Sequence, residues 1–599
     1  MLSYRKLAMR VLGRPFHTGG SDSPRPASQR AAAFILTAAM LITLSAPAFA
    51  GTWCIDEGNI TVKAGDTKGK NTVSQGNKKD VEDTNTIITG TSDTNTVTID
   101  TSKGNVDVTF DDLNIDASSR NEAAMSVTGS GNTTIKLDGD NHLTGGNGRS
   151  GIDSIGNLTI YGGENDSLTA KGGSGADGSG GDGIHSGSLT IYGGTVNANG
   201  GNCGDGNYSD GGSGIRISSR SLTIYGGTVN AKGGNGGDGN YSDGGSGISS
   251  NGSLTISGGT VTAKGGSGED GSGGRGIIST KSVTISGGTV TANGGKGGSG
   301  YGGDGIRSLD HVAISGGTVT ANGGNSTNSS GGYGIISLDV AISSGTVTAN
   351  GGDSKDGYGG DGIHSNDVTI SGGTVNAAGG YGGKVGGYGI CSFDHVAISG
   401  GTVEAAGGNG STGGGSGIYS SVIDLSGSLE LTAKAGSPTG KALLQNGREL
   451  NLDTIKDKLG PGAKVTTTDA NGETKQVSTP RPVEPEESSS SSDGGSATPS
   501  APTSPLPGLT VTDKDGQRIS YTSTQSGNTL TVCVGRLTAS LHVSLAALRQ
   551  LRAEGIETIT FQTILCSTTL SVDELLAMGG EDAEAVLTHR LTDSSLTVG

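Results

Sequence analysis

The segment Gly183–Gly201 reads GIHSGSLTIYGGTVNANGG, and it returns with small changes along the middle of the chain. It recurs as GIRISSRSLTIYGGTVNAKGG from Gly214 and as GIISTKSVTISGGTVTANGG from Gly276. The isoleucine that opens each unit recurs every 27–33 residues between Ile152 and Ile418. A fixed period of 20–50 residues indicates a solenoid, in which each repeat buries its apolar side only against its neighbours.

Apolar and polar residues alternate inside each unit, which is typical of short strands with one buried face. Leu189 and Ile191 share one side of a strand, and Val196 and Ala198 share one side of the next. The glycine pair between them allows a sharp bend, and Ile184 belongs to a third short strand. Stacked coils would pair each strand in parallel with its equivalent about 4.8 Å away. The sequence therefore predicts an all-β, single-stranded parallel β-helix with about ten explicit coils.

The period is longer than the roughly 20 residues that a bare coil needs. The surplus lies at one place, between the Gly-Gly that ends one unit and the Gly-Ile that opens the next. Examples are residues 202–213 and 296–304. We expect these insertions to project in a row from one edge of the solenoid, where repeat proteins commonly bind their ligands.

The remaining segments differ from the repeats in composition. Residues 1–50 combine a basic start, an apolar run at 31–44 and the sequence AFA before Gly51, which predicts a signal peptide removed on secretion. The other predicted segments are an N-terminal cap with irregular coils at 51–150, regular repeats at 151–436, a C-terminal cap at 437–476, a Pro/Ser-rich disordered linker at 477–507 and a small α+β module at 508–599.

Inside the C-terminal module, strand and helix patterns alternate. Strands are predicted near 509–512, 529–534 and 558–564, and a helix at 544–554 with Ser544 as its N-cap. The sequence gives this module no function of its own.

The net charge of the chain is −17 at pH 7, and removal of residues 1–50 would bring it to −22. Such an acidic protein is a poor candidate for nucleic acid binding, which needs clustered basic residues, but a good candidate for binding cations. No apolar segment after the signal peptide is long enough to span a membrane, so no membrane association is expected. The five cysteines are too few and too scattered for a disulfide framework.

Aspartates recur in the surplus segments, often five residues apart. Stacked on one edge, their carboxylates would repel one another unless they were solvated or bridged by a cation, and calcium prefers six to eight oxygen ligands. The alternative is that aspartate simply favours such turns and keeps the surface soluble. The predicted calcium ligands are Asp177, Asp182, Asp205, Asp210, Asp238, Asp243, Asp304 and Asp361.

Three tyrosines occupy one equivalent position in successive coils. Tyr161, Tyr192 and Tyr225 each follow an inward isoleucine and should face outward, whereas later coils place serine there. A ladder of exposed rings offers a stacking surface for sugars or for a partner protein. The alternative is that stacked identical side chains only stabilise the parallel sheet. We predict that the three tyrosines bind carbohydrate.

The histidines repeat with the units and do not form an obvious cluster. His185 and His364 both follow Asp-Gly-Ile, while His311 and His395 share the sequence Asp-His-Val-Ala-Ile-Ser. The members of each pair lie several coils apart, and no unique group of His, Asp and Arg suggests a catalytic centre. The sequence therefore predicts a non-catalytic protein, although β-helix lyases assemble their sites from separate coils.

The stretch Asn132–Gly146 (NTTIKLDGDNHLTGG) and the serial LTIYGGTV and VTISGGTV units resemble a known family. They are similar to the secreted, calcium-binding carbohydrate-binding β-helix proteins of Firmicutes, over roughly residues 86–435. The resemblance implies a right-handed β-helix similar to that of polysaccharide lyases but without catalysis. It also implies binding of acidic, pectin-like polysaccharide, with calcium at the surface.

Composition and resemblance together predict a secreted or cell-surface protein that binds acidic polysaccharide non-catalytically and with calcium. The first alternative is a structural adhesin or spacer that presents the C-terminal module to a protein or to the cell wall. The second is a polysaccharide lyase.

Overall fold

A computed structural model describes residues 51–480 and 508–598, except 67–68, 177, 205, 207–208, 238, 240, 514–515, 520, 527, 535–538, 564–566, 579–583 and 590–593. The predicted signal peptide and residues 481–507 of the predicted linker lie outside the described residues. The described residues belong to two compact units that divide at Pro482.

The first unit is a parallel β-solenoid of about 15 turns. Each regular turn contributes three short strands, which form three rows along the solenoid. In each regular turn, the first-row strand begins at the unit isoleucine and the second-row strand comes next along the chain. The third-row strand then follows the glycine bend. Each strand pairs in parallel with its equivalent one turn later, as Ile277 does with Ile306. The predicted all-β coil of three strands is confirmed.

The first row comprises Ile60–Ala64, Val97–Asp100, Met125–Thr128, the starts of Ile152–Tyr161 and Ile184–Ile191, Ile215–Ile217, Ile248–Ser250, Ile277–Ser279, Ile306–Ser308, Ile335–Ile336, the starts of Ile363–Ile370 and Ile390–Ile398, Ile418–Ser420 and Leu443–Gln445. The second row comprises Thr52–Cys54, the starts of Thr86–Ser92 and Val106–Asp116, Asn132–Asp138, the ends of Ile152–Tyr161 and Ile184–Ile191, Leu222–Ile224, Leu254–Ile256, Val283–Ile285, His311–Ile314, Asp339–Ile342, the ends of Ile363–Ile370 and Ile390–Ile398, and Val422–Leu425. The third row comprises the ends of Thr86–Ser92 and Val106–Asp116, Asp140–Thr144, Ser167–Lys171, Thr195–Asn199, Thr228–Lys232, Thr260–Lys264, Thr289–Asn293, Thr318–Asn322, Thr346–Asn350, Thr374–Ala378, Thr402–Ala406, Glu430–Lys434 and Lys464–Thr468.

Aliphatic side chains from all three rows fill the interior of the solenoid. Ile277, Val283 and Val290, one from each row of a single turn, are fully buried, and their equivalents stack above and below them. A serine at the corner between the first and second rows is also buried. Ser308 Oγ donates to the carbonyl oxygens of Lys281 and His311 at 2.7 and 3.1 Å. The core is therefore apolar, and the Ser308 hydroxyl at its corner is hydrogen-bonded.

The predicted bend between the second and third rows lies at a glycine pair. The second glycine of the pair has a positive φ, +78° at Gly288, which L side chains rarely adopt. This conformation turns the chain sharply enough for the third strand to begin one residue later.

The surplus residues between units do not simply project from the solenoid. In each regular turn they form two extended segments, here called the glycine limbs, which leave the third row and return to the first. Gly295 N–H donates to Gly274 O at 2.7 Å, Gly303 N–H to Gly295 O at 2.9 Å, and Gly324 N–H to Gly303 O at 2.7 Å. The bonds thus cross alternately between turns and between the two limbs of one turn.

This zigzag of hydrogen bonds is continuous from Gly173 to Gly440. Its members are Gly173, Gly181, Gly201, Gly212, Gly234, Gly245, Gly266, Gly274, Gly295, Gly303, Gly324, Gly332, Gly352, Gly360, Gly380, Gly387, Gly408, Gly415, Gly436 and Gly440. A Cβ added at Gly303 would lie 1.9 Å from Gly274 O, so at this position the limbs approach too closely for any side chain. The limbs form a layer of backbone against the solenoid. We expected the whole insertions to project, but only the tips of the limbs can do so.

Antiparallel strands close both ends of the solenoid. The hairpin Asn71–Gln75 and Lys78–Asp83 adds to Ile60–Ala64 at the N-terminal end. At the C-terminal end, Thr474–Ser478 pairs antiparallel with Lys464–Thr468. Short elements also lie near these ends. They are the 3₁₀ turns Ile55–Glu57 and Leu452–Lys458 and the two-residue strand Arg448–Glu449. Val477, which we assigned to the linker, is buried in the closing strand, so the cap extends two residues further than expected.

The described residues of the second unit form two four-stranded sheets and two helices. One sheet is antiparallel and consists of Leu509–Thr512, Ala539–Ser544, Glu584–His589 and Ser594–Val598. The other consists of Thr522–Ser526, Thr529–Cys533, Thr558–Gln562 and Ser567–Ser571. The helices are α1, Leu545–Ala553, and α2, Val572–Met578. Ser544 caps α1 as predicted, because its Oγ accepts the Ala547 N–H at 3.2 Å. In the part of the chain that the structure describes, no helix is long and apolar enough to cross a membrane.

Candidate functional site

The three predicted tyrosines form a stacked ladder on the outer side of the second row. The ring centroids of Tyr161 and Tyr192 lie 4.6 Å apart with an interplanar angle of 1°, and those of Tyr192 and Tyr225 lie 4.9 Å apart at 11°. The parallel register of the strands imposes this spacing, since each ring stands one turn above the previous one. The exposed fractions are 42, 45 and 51% from Tyr161 to Tyr225.

Face-to-face stacking changes what the ladder offers to a ligand. Both faces of Tyr192 are covered by its neighbours, so the ring edges and hydroxyl groups are exposed along the ladder. Burial raises the pKa of the Tyr161 hydroxyl above its usual value, and the adjacent Tyr192 hydroxyl adds to that rise. A flat ring surface remains only at the ends of the ladder.

The two ends of the ladder differ in their neighbours. Beyond Tyr225 the next residue in the column is Ser257, whose backbone N–H donates to Ile224 O at 2.9 Å, and a serine side chain is too small to cover an aromatic ring. The serine column continues through Ser257, Ser286, Ser315, Ser343, Ser371 and Ser399. At the other end, Lys136 pairs with Tyr161 across the parallel strands. The outer face of Tyr225 is thus an aromatic platform beside a hydroxyl-lined column.

Five of the eight predicted calcium ligands lie among the described residues, and all five have the same structural contact. One carboxylate oxygen of each accepts a backbone N–H from the residue one turn later, at 2.6–3.1 Å. The five are Asp182, Asp210, Asp243, Asp304 and Asp361. Asp177, Asp205 and Asp238 lie outside the described residues. Each of these aspartates therefore connects two successive turns by a hydrogen bond to one carboxylate oxygen. The other carboxylate oxygen can contact a second partner.

Asp210 and Asp243 are neighbours in adjacent turns. Asp243 N–H donates to Asp210 Oδ1 at 3.1 Å, and Ser272 N–H donates to Asp243 Oδ1 at 2.6 Å. Burial raises the pKa of Asp210, and the charge of Asp243 adds to the rise although the hydrogen bond opposes it. No basic side chain among the described residues forms an ion pair with either carboxylate. The charge of Arg216 also acts on Asp210 and opposes the rise of its pKa.

Asp182 and Asp304 have protein cations as partners instead. Asp182 Oδ2 lies 2.9 Å from Arg216 Nε, and Asp304 Oδ2 lies 3.2 Å from Arg307 and 3.5 Å from Arg275. These guanidinium groups balance the negative charge of the two carboxylates.

Asp361 belongs to a cluster that the sequence analysis missed. His364 Nδ1 lies 2.7 Å from Asp361 Oδ2, and Cys391 completes a group whose donor atoms all lie within 4.8 Å of one another. Burial, and then the Asp361 carboxylate, raises the pKa of the Cys391 thiol above its usual range. His364 and Cys391 both directly follow a unit isoleucine, in consecutive turns. Aligning the units on that isoleucine would have placed them together.

Two of the other repeat histidines, His185 and His311, have aspartate partners of their own. His185 Nδ1 contacts Asp153 Oδ1 at 2.9 Å, and this hydrogen bond raises the pKa of His185. His311 contacts its neighbour Asp310 at 3.5 Å. His364 therefore differs from His185 and His311, because it lies beside a buried thiol as well as a carboxylate.

A family model described as Beta helix repeat matches the chain at residues 189–215, 254–277, 283–306, 312–335, 340–367 and 368–390. These segments run from a second-row strand to or just past the following first-row strand, which is the unit that the structure shows. No curated protein and no solved structure matches the chain.

Proposed function

We propose that this chain of β-helix repeats is a secreted, non-catalytic carbohydrate-binding protein, and that it binds at the Tyr225 end of the tyrosine ladder. The observation that carries the proposal is the exposed outer face of Tyr225, which ends a stack of three rings in a column that continues with serine beyond Tyr225. Exposed aromatic groups of this kind are uncommon on a soluble surface unless they bind a ligand or a partner.

A pyranose ring fits this place because it would continue the stack. The rings of the ladder are spaced by 4.6 and 4.9 Å, and the smaller Ser257 leaves the next position in the column open. The apolar face of a sugar would cover the Tyr225 ring, while its hydroxyl groups would reach the Ser257 hydroxyl and Thr255, which also faces outward on the second row.

An acidic polysaccharide is the substrate class that we favour, with calcium as the bridging ion. The chain is strongly acidic, so a polyuronate would be repelled unless cations lay between the two. The carboxylates of Asp210 and Asp243 form no ion pair with a basic side chain among the described residues, and Ca²⁺ prefers such oxygen ligands. Lys136, next to Tyr161, adds a positive group at the other end of the ladder.

Binding to an array of pectic and neutral oligosaccharides tests this proposal. We expect the protein to bind polyuronate fragments in the presence of calcium, and chelation to weaken that binding at least about tenfold. An Asp210→Asn/Asp243→Asn protein should bind equally with and without chelator. Failure to bind any glycan would contradict the proposed function, whereas equal binding of the wild type with chelator would contradict the calcium part alone.

A further inference from the structure

Two facing columns of side chains lie at the corner between the returning glycine limb and the first row. One column holds the residue two places before the unit isoleucine, and the other holds the residue directly after it. The first column contains Asp182, Asp304 and Asp361. Because the turns are stacked in register, each of these carboxylates has the same two places beside it, one in its own turn and one in the next.

Beside Asp182 and beside Asp304, arginine occupies one of the two places. Arg307 follows the isoleucine of the same turn as Asp304, and Arg216 follows the isoleucine of the turn after Asp182. The carboxylates are largely buried, with side-chain exposures of 12% for Asp182 and 8% for Asp304. A buried carboxylate needs a compensating charge, and the guanidinium groups provide it.

At Asp361 both places hold metal-ligating residues. His364 stands where Arg307 stands beside Asp304, and Cys391 stands where Arg216 stands beside Asp182. Asp361 is only 6% exposed, and its ion-pairing partner is the imidazole of His364. A position as buried as that of Asp304 therefore has a nitrogen and a sulfur donor in place of a fixed positive charge.

The surroundings of the three residues hold them in place. Tyr388 N–H donates to Asp361 Oδ1 at 2.7 Å, which leaves Oδ2 directed toward His364. The Tyr333 ring stacks on the His364 ring at 4.5 Å, and Phe393 meets it edge-on at 5.1 Å. Such outer contacts orient metal ligands and exclude water around them.

We propose that Asp361, His364 and Cys391 bind one divalent cation of the zinc type. A thiolate and an imidazole favour Zn²⁺ over Ca²⁺, and three protein ligands leave a fourth position for water. On binding, the Cys391 S–H proton is released to solvent, and the two negative charges of thiolate and carboxylate then balance the ion. This site is independent of the proposed glycan site and of calcium.

Titration of the metal-free full-length protein with Co²⁺ tests this inference, because cobalt reports its ligands spectroscopically. We expect one equivalent to give thiolate-to-cobalt charge-transfer absorption together with visible bands of a tetrahedral site. Cys391→Ser should abolish the charge-transfer band. His364→Gln should weaken binding by more than the roughly 10–100-fold that loss of an outer contact costs. Zn²⁺ added afterwards should bleach the spectrum, and Ca²⁺ should not.

Two variants provide matched controls. His185→Gln removes a histidine with a similar aspartate contact, and Cys54→Ser removes a thiol near Asp56, at the N-terminal end of the solenoid. Both should leave the cobalt spectrum unchanged. Absence of a charge-transfer band in the wild type, or an unchanged band in Cys391→Ser, would overturn the proposal.

Discussion

Replacing Gly303 with alanine is expected to destabilise the solenoid by more than about 4 kcal/mol, at the upper end of what single substitutions cause. The added Cβ would lie 1.9 Å from Gly274 O and 2.6 Å from Gly274 C. Both are backbone atoms, so no side-chain rotation relieves the clash. The limb must move, and the hydrogen bonds that Gly303 makes to Gly295 and Gly324 would then break. Thermal unfolding followed by circular dichroism measures the effect.

The control for this substitution is Gly178→Ala. A Cβ at Gly178, at the tip of a glycine limb, would meet no atom within 4 Å. We expect its unfolding midpoint to match that of the wild type, with a change within about 0.5 kcal/mol. Similar behaviour of the two alanine variants would show that the zigzag does not hold the limbs together.

Ile277→Ala is expected to cost about 2–5 kcal/mol, because it opens a cavity in the stacked interior of the solenoid. Ile277 is fully buried and pairs with Ile248 on one side and Ile306 on the other. Coils stabilise one another only through such contacts, so a gap in one turn weakens both of its neighbours. The loss should appear as a lower midpoint in urea unfolding.

The adjacent isoleucine of the same strand serves as a matched control. Ile278 points to the opposite side and is only half-buried. Ile278→Ala removes the same atoms at the surface and should cost less than about 1 kcal/mol. If Ile278→Ala proved as damaging as Ile277→Ala, the assignment of inward and outward positions would be wrong.

The rows of strands were predictable from the sequence because their signal is local. The alternation of Val283, Ile285 and Val290 with polar residues fixes which side is buried, and the recurrence of the unit isoleucine fixes the register between turns. The same reasoning placed Tyr161, Tyr192 and Tyr225 in one outward column. The sequence did not predict the orientation of the rings, because that depends on side-chain rotation. The rings stack face to face, so only the ends of the ladder have an exposed ring face.

The glycine limbs and the corner cluster were not predictable in the same way. Glycine has no side chain whose pattern could indicate what Gly303 contacts. The sequence therefore predicted projecting loops where the structure has hydrogen-bonded limbs. In the group of Asp361, His364 and Cys391, the first two residues are close in sequence, but Cys391 belongs to the next turn and meets them only because the turns are stacked. The aspartates were recognised as recurrent, but their hydrogen bonds to the next turn became visible only in the stacked structure.

Calorimetric titration of wild type and Tyr225→Ser with a glycan that the array identifies tests the central claim most directly. Serine occupies the equivalent position in the next turn, so the fold tolerates this substitution. We predict that Tyr225→Ser binds at least about tenfold more weakly, because a sugar would lose its stacking platform. Ser371→Ala, in the same column but remote from the ladder, should bind as the wild type does. Wild-type affinity in Tyr225→Ser would contradict the account.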